Sequence, residues 1–254
     1  MSIEIEQASA ETDINLSDSV SFFAPFAQYH VREVLGVGGE AYIAKSAGQI
    51  TGVFMFDKHE QTGAIYTHDR DVFDRFFKMK PDSLIFAEVE ADHPKEVYDV
   101  YSIDLRNLNM HTFNHEVTAI GVDEIDELGA FMTQTHQGVN KRWVTTALNN
   151  GDTCFAVRMG TIAGVGWVSL ARGHGRLHTL FVKPQYRRTG IGADLLYSRL
   201  FWLKSHGVKT AFSEIAESNV ACSRIAMKAG MTISEKIYAY LPKQRLNDHT
   251  ASIV

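Results

Sequence analysis

The alternation of apolar and polar positions divides the second half of the chain into strands and helices. Apolar and β-branched runs predict strands at His115 to Val122, through an antiparallel meander from Asp152 to Val182, at Lys209 to Ala216 and at Met231 to Leu241. Helical spacing predicts helices over Asp123 to His136, Lys141 to Asn150, Gly190 to His206 and Asn219 to Ala229. In the third of these Ile191, Leu195, Leu196, Leu200 and Leu203 fall on one side, as in a helix laid on a sheet. Gly230 occupies the place where a left-handed residue ends a helix. Strand, helix and strand after the meander imply a parallel pair within a mixed sheet. The stretch from Asp104 to Asn114 reads as a linker.

The first half repeats part of this pattern. Residues Ala44 to Val53 match Ala156 to Val165 as A-x-x-x-G-x-I-x-G-V, at an offset of 112 residues. Gly63 to Thr67 falls on Gly175 to Thr179 at the same offset. Each copy therefore reads as a strand, a glycine turn, a second strand, a looser turn and a third strand. Ser83 to Glu88 resembles Lys209 to Glu214, but now at an offset of 126, so the first copy is 14 residues shorter between its third and fourth strands. What it lacks is a glycine-rich turn and about half of the following helix. The chain is expected to be of the α/β (α+β) class, with two tandem domains at residues 1–110 and 111–254, each a mixed, mostly antiparallel sheet flanked by helices.

Composition narrows the functional classes. With 254 residues, 45% hydrophobic and 22% charged, the sequence is that of an ordinary globular protein able to bury one large core or two smaller ones. A formal net charge of -5 argues against nucleic acid as a partner, since that needs a broad basic surface. The longest apolar runs fall short of a membrane span, and Met1 to Val20 lacks the basic start and apolar core of a signal peptide. Cys154 and Cys222, in neither a disulfide framework nor a zinc-like spacing, suit a reducing cytoplasm. His174 and His178 lie four apart on a predicted strand, about 13 Å, which is too far for one metal ion. No metal site is expected.

The stretch most suited to chemistry runs from Leu180 to Ala193 and joins a strand to a helix. Such a turn gathers backbone N–H groups, and the helix adds the positive end of its dipole, so an anion such as phosphate fits there. Gly190 and Gly192 allow close approach of the main chain, and Arg187 and Arg188 add charge. The spacing matches neither G-x-G-x-x-G nor a P-loop.

These residues resemble the GNAT superfamily of acyl-CoA-dependent N-acyltransferases. Its pyrophosphate motif, Q/R-x-x-G-x-G/A preceded by L-x-V-x-P, is met by Arg187, Gly190 and Gly192 with Leu180, Val182 and Pro184 upstream. A second signature, an Asn opening the next helix and a Gly closing it, is met by Asn219 and Gly230, followed by Met231. The resemblance covers about Glu116 to Tyr240 and reaches the first half only through the repeat, which then looks like a degenerate GNAT copy without its CoA loop. It implies acetyl-CoA as co-substrate, held by Leu180, Phe181, Val182, Arg187, Arg188, Thr189, Gly190, Ile191, Gly192, Ala193 and Asn219. It further implies direct attack by a small-molecule or peptide amine, without a covalent enzyme intermediate, and it allows a homodimer.

For the base, Glu214 and His178 are both candidates. The family often places an acidic Tyr seven residues after the helix-opening Asn, and this chain has Ala226 there, which leaves Ser223, Tyr238, Tyr240 or water as the acid. Cys222 has no evident activating base. A non-catalytic acyl-CoA sensor or scaffold, and a donor longer than acetyl, are the alternative expectations.

Overall fold

The computed structural model describes residues 3–135 and 141–242. His136, the predicted end of a helix, lies outside the described residues. The described residues cluster into two compact units, those within 1–98 and 236–254, and those within 99–235. Among the described residues no helix is long and apolar enough to cross a membrane.

The first unit contains β1 (Glu4–Gln7), α1 (Ala27–Gly36), β2 (Glu40–Ser46), β3 (Gln49–Asp57), β4 (Thr62–Tyr66), α2 (Arg70–Phe77) and β5 (Leu84–Ala87). Strand β6 (Lys95–Asp104) begins here and continues into the second unit. The strands pair in the order β1-β2-β3-β4-β5, antiparallel up to β4 and parallel from β4 to β5. Asp69 caps α2 by accepting from the amides of Asp71 and Val72, and the helix lays Val72, Phe73 and Phe76 on a core with Phe54, Phe56 and Ile65. The last strand of the chain, β12 (Thr232–Tyr240), ends in this unit by pairing Tyr238, Ala239 and Tyr240 with β5.

The second unit holds β7 (Thr118–Ala119), α3 (Ile125–Thr135), α4 (Lys141–Asn149), β8 (Thr153–Met159), β9 (Thr161–Ala171), β10 (His174–Val182), α5 (Ile191–Ser205), β11 (Thr210–Ala216) and α6 (Val220–Ala229). Its strands run β6-β11-β10-β9-β8-β7. The five apolar positions predicted on one side of α5 are all buried, against Leu177, Ala211 and Ala163. The strand predicted over His115 to Val122 shrinks to Thr118–Ala119. At its start His115 turns its amide and ring nitrogen to Asp194, and at its end the Gly121 amide donates to Glu124 to open a short helical turn.

The repeat is visible in the hydrogen-bond register. In the first copy the hairpin turns on Ala47 and Gly48, both at positive φ, and the β2–β3 register slips between Ala44 and Lys45. In the second it turns on Gly160, and the β8–β9 register slips between Val157 and Arg158. The copies part company at the third strand. From Asp57↔Thr62 to Val53↔Tyr66 the β3–β4 register is unbroken, whereas β9–β10 breaks between His178 and Phe181, where Thr179 adopts a φ of +48°. In the first copy β4 and β5 stay paired through Ile65↔Ala87; in the second, β10 and β11 pair only from His174↔Thr210 to Arg176↔Phe212. Both strands then run on, to Val182 and Ala216, without pairing to each other. The helix that follows has 8 residues in the first copy and 15 in the second.

Candidate active site

The site in the second unit starts where those strands part. Beyond Arg176 and Phe212 the facing edges of β10 and β11 carry backbone groups that the sheet does not consume. At the end of β10 the Lys183 amide donates to Ala163, and a 3-10 turn over Pro184–Tyr186 swings the chain toward α5. Arg188 and Gly190 both adopt positive φ, +66° and +100°. The amides of Arg188, Thr189, Gly190, Ile191 and Gly192 meet no acceptor among the described residues. Positive-φ residues beside a helix start make a concave set of N–H groups, the form of an anion cradle.

The predicted cofactor residues divide by what they already do. Gly190 is the residue before α5, and a side chain there would be both strained and 3.1 Å from the Asn114 amide nitrogen. The Ala193 amide donates to the Gly190 carbonyl at 2.9 Å, so its role is to close the helix start. Arg187 bonds the Val182 carbonyl through Nε at 3.2 Å and lies over the Phe181 ring. Thr189 anchors the turn by donating to the Tyr186 carbonyl at 2.7 Å. Asn219 caps α6 by accepting from the Cys222 amide.

Beneath the cradle lies a carboxylate that the sequence reading missed. Asp194, in the first turn of α5, is fully buried and meets His111 Nε2 and His115 Nδ1, each at 2.7 Å, with the amides of Asn114 and His115 beside them. Burial alone would raise its pKa, but the hydrogen bonds from His111 and His115 outweigh it and hold the carboxyl below its usual range. An ionised carboxylate only accepts, so both facing ring nitrogens carry hydrogen. His111 also stacks on Tyr197, with ring centroids 4.0 Å apart. The stretch predicted as a linker thus clasps the helix that bears the cradle.

Of the acid and base candidates, His178 stands at the bulge. Its Nε2 is 2.8 Å from Ser169 Oγ and 3.6 Å from Asp152 Oδ2, and its Nδ1 is 3.2 Å from Thr179 Oγ1. Burial lowers its pKa, against the opposing pull of Asp152, so the ring is neutral near pH 7. Glu214, on β11, is paired with Arg176 at 2.8 Å. Ser223 donates to the Asn219 carbonyl within α6. Tyr238 lies in the first unit, its hydroxyl 3.4 Å from Glu90; Tyr240 is in the same unit, donating to the Val89 carbonyl. Burial raises the pKa of the Cys222 thiol, which is thus not an activated nucleophile. Asp152, Ser169 and the buried Arg199 were not singled out from sequence. Asp194 and Arg199 do leave a signal there, as charges within the apolar face of α5.

Strands that diverge beside an open amide turn define a fold shared with acetyltransferases. The tandem GNAT protein from the clavulanic acid biosynthesis pathway aligns with a TM-score of 0.58 at 12% identity, over 94% of this chain and 98% of that one. A GCN5-related N-acetyltransferase from Kribbella flavida gives 0.60 at 14% identity, over 91% and 99%. An acetyltransferase of the GNAT family from Colwellia psychrerythraea gives 0.55 at 11% identity, over 94% and 99%. No curated protein sequence matches the chain. The family model for the acetyltransferase (GNAT) family matches residues 105–231, half of the chain. The chain belongs to the acetyltransferase (GNAT) family.

Proposed function

We propose that the chain is an N-acetyltransferase that moves an acetyl group from acetyl-CoA to a primary amine by direct attack in a ternary complex. The carrying observation is the pairing of open amides at 188–192 with the parted edges of β10 and β11, which only the second copy possesses. That arrangement fits acetyl-CoA. The amides of Arg188 to Gly192 and the Arg188 side chain would hold its pyrophosphate, and the main chain of Leu180 to Val182 would hold its pantetheine. Acetyl-CoA supplies an activated acyl group as a thioester. The protein's part is to orient the donor, offer a bulge amide to the carbonyl oxygen where negative charge develops, and take a proton from the amine, while the C–S bond breaks and the departing CoA thiolate takes a proton from water. His178 suits the last task because it is neutral near pH 7 and stands at the bulge.

The first copy, with an unbroken third strand and a short helix, then lacks a donor site. Calorimetric titration of the full chain with acetyl-CoA is expected to give one site per chain, with thiol release on adding a suitable primary amine. Two equal sites, or none, would contradict the reading. One observation favours a second reading, a sensor that binds acyl-CoA without turnover. Ala226, buried on α6, stands where the family often has an acidic Tyr. Sustained thiol release with any amine removes that alternative.

A further inference from the structure

A guanidinium sits inside the second unit, directly behind the bulge. Arg199 of α5 is 1% exposed. Its Nε donates to the Leu195 carbonyl at 3.0 Å, one turn back on its own helix. Its Nη1 takes two carbonyls at once, Trp167 at 3.0 Å and His178 at 3.3 Å. Trp167 and His178 face each other as the last β9–β10 pair before the register breaks. Space for the group comes from Gly166, where a Cβ would lie 2.8 Å from Nε and 2.9 Å from Cζ.

Among the described residues no carboxylate pairs with Arg199. A buried charge without a counter-ion is expensive, and an aliphatic side chain at the same place would pack more cheaply. Burial lowers its pKa only to about 10, so the charge persists near pH 7. What the charge does here is bind two carbonyls at the edge of the bulge.

We propose that Arg199 is a positioning residue for acetyl transfer, holding the Trp167 and His178 carbonyls so that the bulge at Thr179 presents its amide, and His178 its ring, to the reacting groups. The inference rests on the acetyltransferase reading above. It assigns the bulge a support from behind the sheet, tied to a helix whose first turn carries the anion cradle. Its one-nitrogen grip on two carbonyls needs the reach of arginine and the missing side chain of Gly166 together.

The test uses the full chain with Arg199→Lys, Arg199→Met and Gly166→Ala. In each folded variant kcat should fall about 10- to 100-fold, while the acetyl-CoA dissociation constant measured by calorimetry stays within about threefold. Amide hydrogen exchange across residues 176–182 should quicken about tenfold or more in Arg199→Met, with exchange in α3 and α4 unchanged. If Arg199→Met does not fold, Gly166→Ala decides, because it displaces the guanidinium without removing it. Parental kcat and parental exchange in the folded variants overturn the inference, as does a loss of affinity equal to the loss of kcat. A parent chain that binds acetyl-CoA but transfers nothing contradicts the acetyltransferase reading instead; the exchange measurement then still decides whether Arg199 holds the bulge.

Discussion

Asp194 Oδ2 and His115 Nδ1 meet at 2.7 Å at the first turn of α5, joining the approach to the second unit's sheet to the helix that follows the open amides. Asp194→Ala would leave two imidazoles and the neighbouring amides without their acceptor, at a cost of about 3 kcal/mol. Thermal or urea unfolding measures it. Acetyl-CoA affinity should fall in the same variant, because Asp194 no longer holds Asn114 and His115 against the helix start.

The same carboxylate sets a pH dependence. Its folded pKa is depressed, so its stabilisation is present above the unfolded value of about 3.9 and is lost as pH falls through the lower folded value. The stability gap between the parent and Asp194→Asn should therefore be full at pH 7 and close as the pH drops below about 3.9. A gap unchanged in acid would mean that the carboxylate's charge contributes nothing.

Gly190→Ala should lower stability by about 1–2 kcal/mol, since its φ of +100° places any Cβ badly and Asn114 stands in the way. Arg188→Ala should leave stability unchanged and weaken acetyl-CoA binding by about 1–3 kcal/mol. Unchanged affinity would mean that the phosphates bind elsewhere.

If His178 accepts the proton, kcat/KM is flat near neutrality and declines only below the ordinary imidazole value of about 6.5, because burial lowers its pKa. His178→Gln should remove that limb and lower kcat by about 10²- to 10⁴-fold. Should Glu214→Gln do so instead, the pair with Arg176 must open during the reaction.

Elements set by local chemistry were legible in the sequence. The 112-residue repeat, the apolar face of α5, the Asn219 cap and the Gly230 ending all stand where residue types demand them. The turn of open amides before α5 was legible as well, since two glycines and a helix start mark it locally. Contacts made across the fold were not. Leu105 is buried and His111 binds a residue 83 positions away, in a stretch whose composition reads as a linker. Nothing near Tyr238 announces that residues 238–240 pair with β5, about 150 positions earlier in the chain. The bulge at Thr179 is likewise invisible locally, because a threonine carries no mark of left-handed backbone.

That pairing limits how the gene can be dissected. A fragment stopping near residue 110 would leave Ile85, Phe86 and Ala87 as a bare β edge, open to aggregation, while its complement would carry the buried Ile237, Ala239 and Tyr240 without their cover. Deletion analysis of either half therefore needs a circularly permuted or co-expressed arrangement that returns residues 236–240 to the first unit.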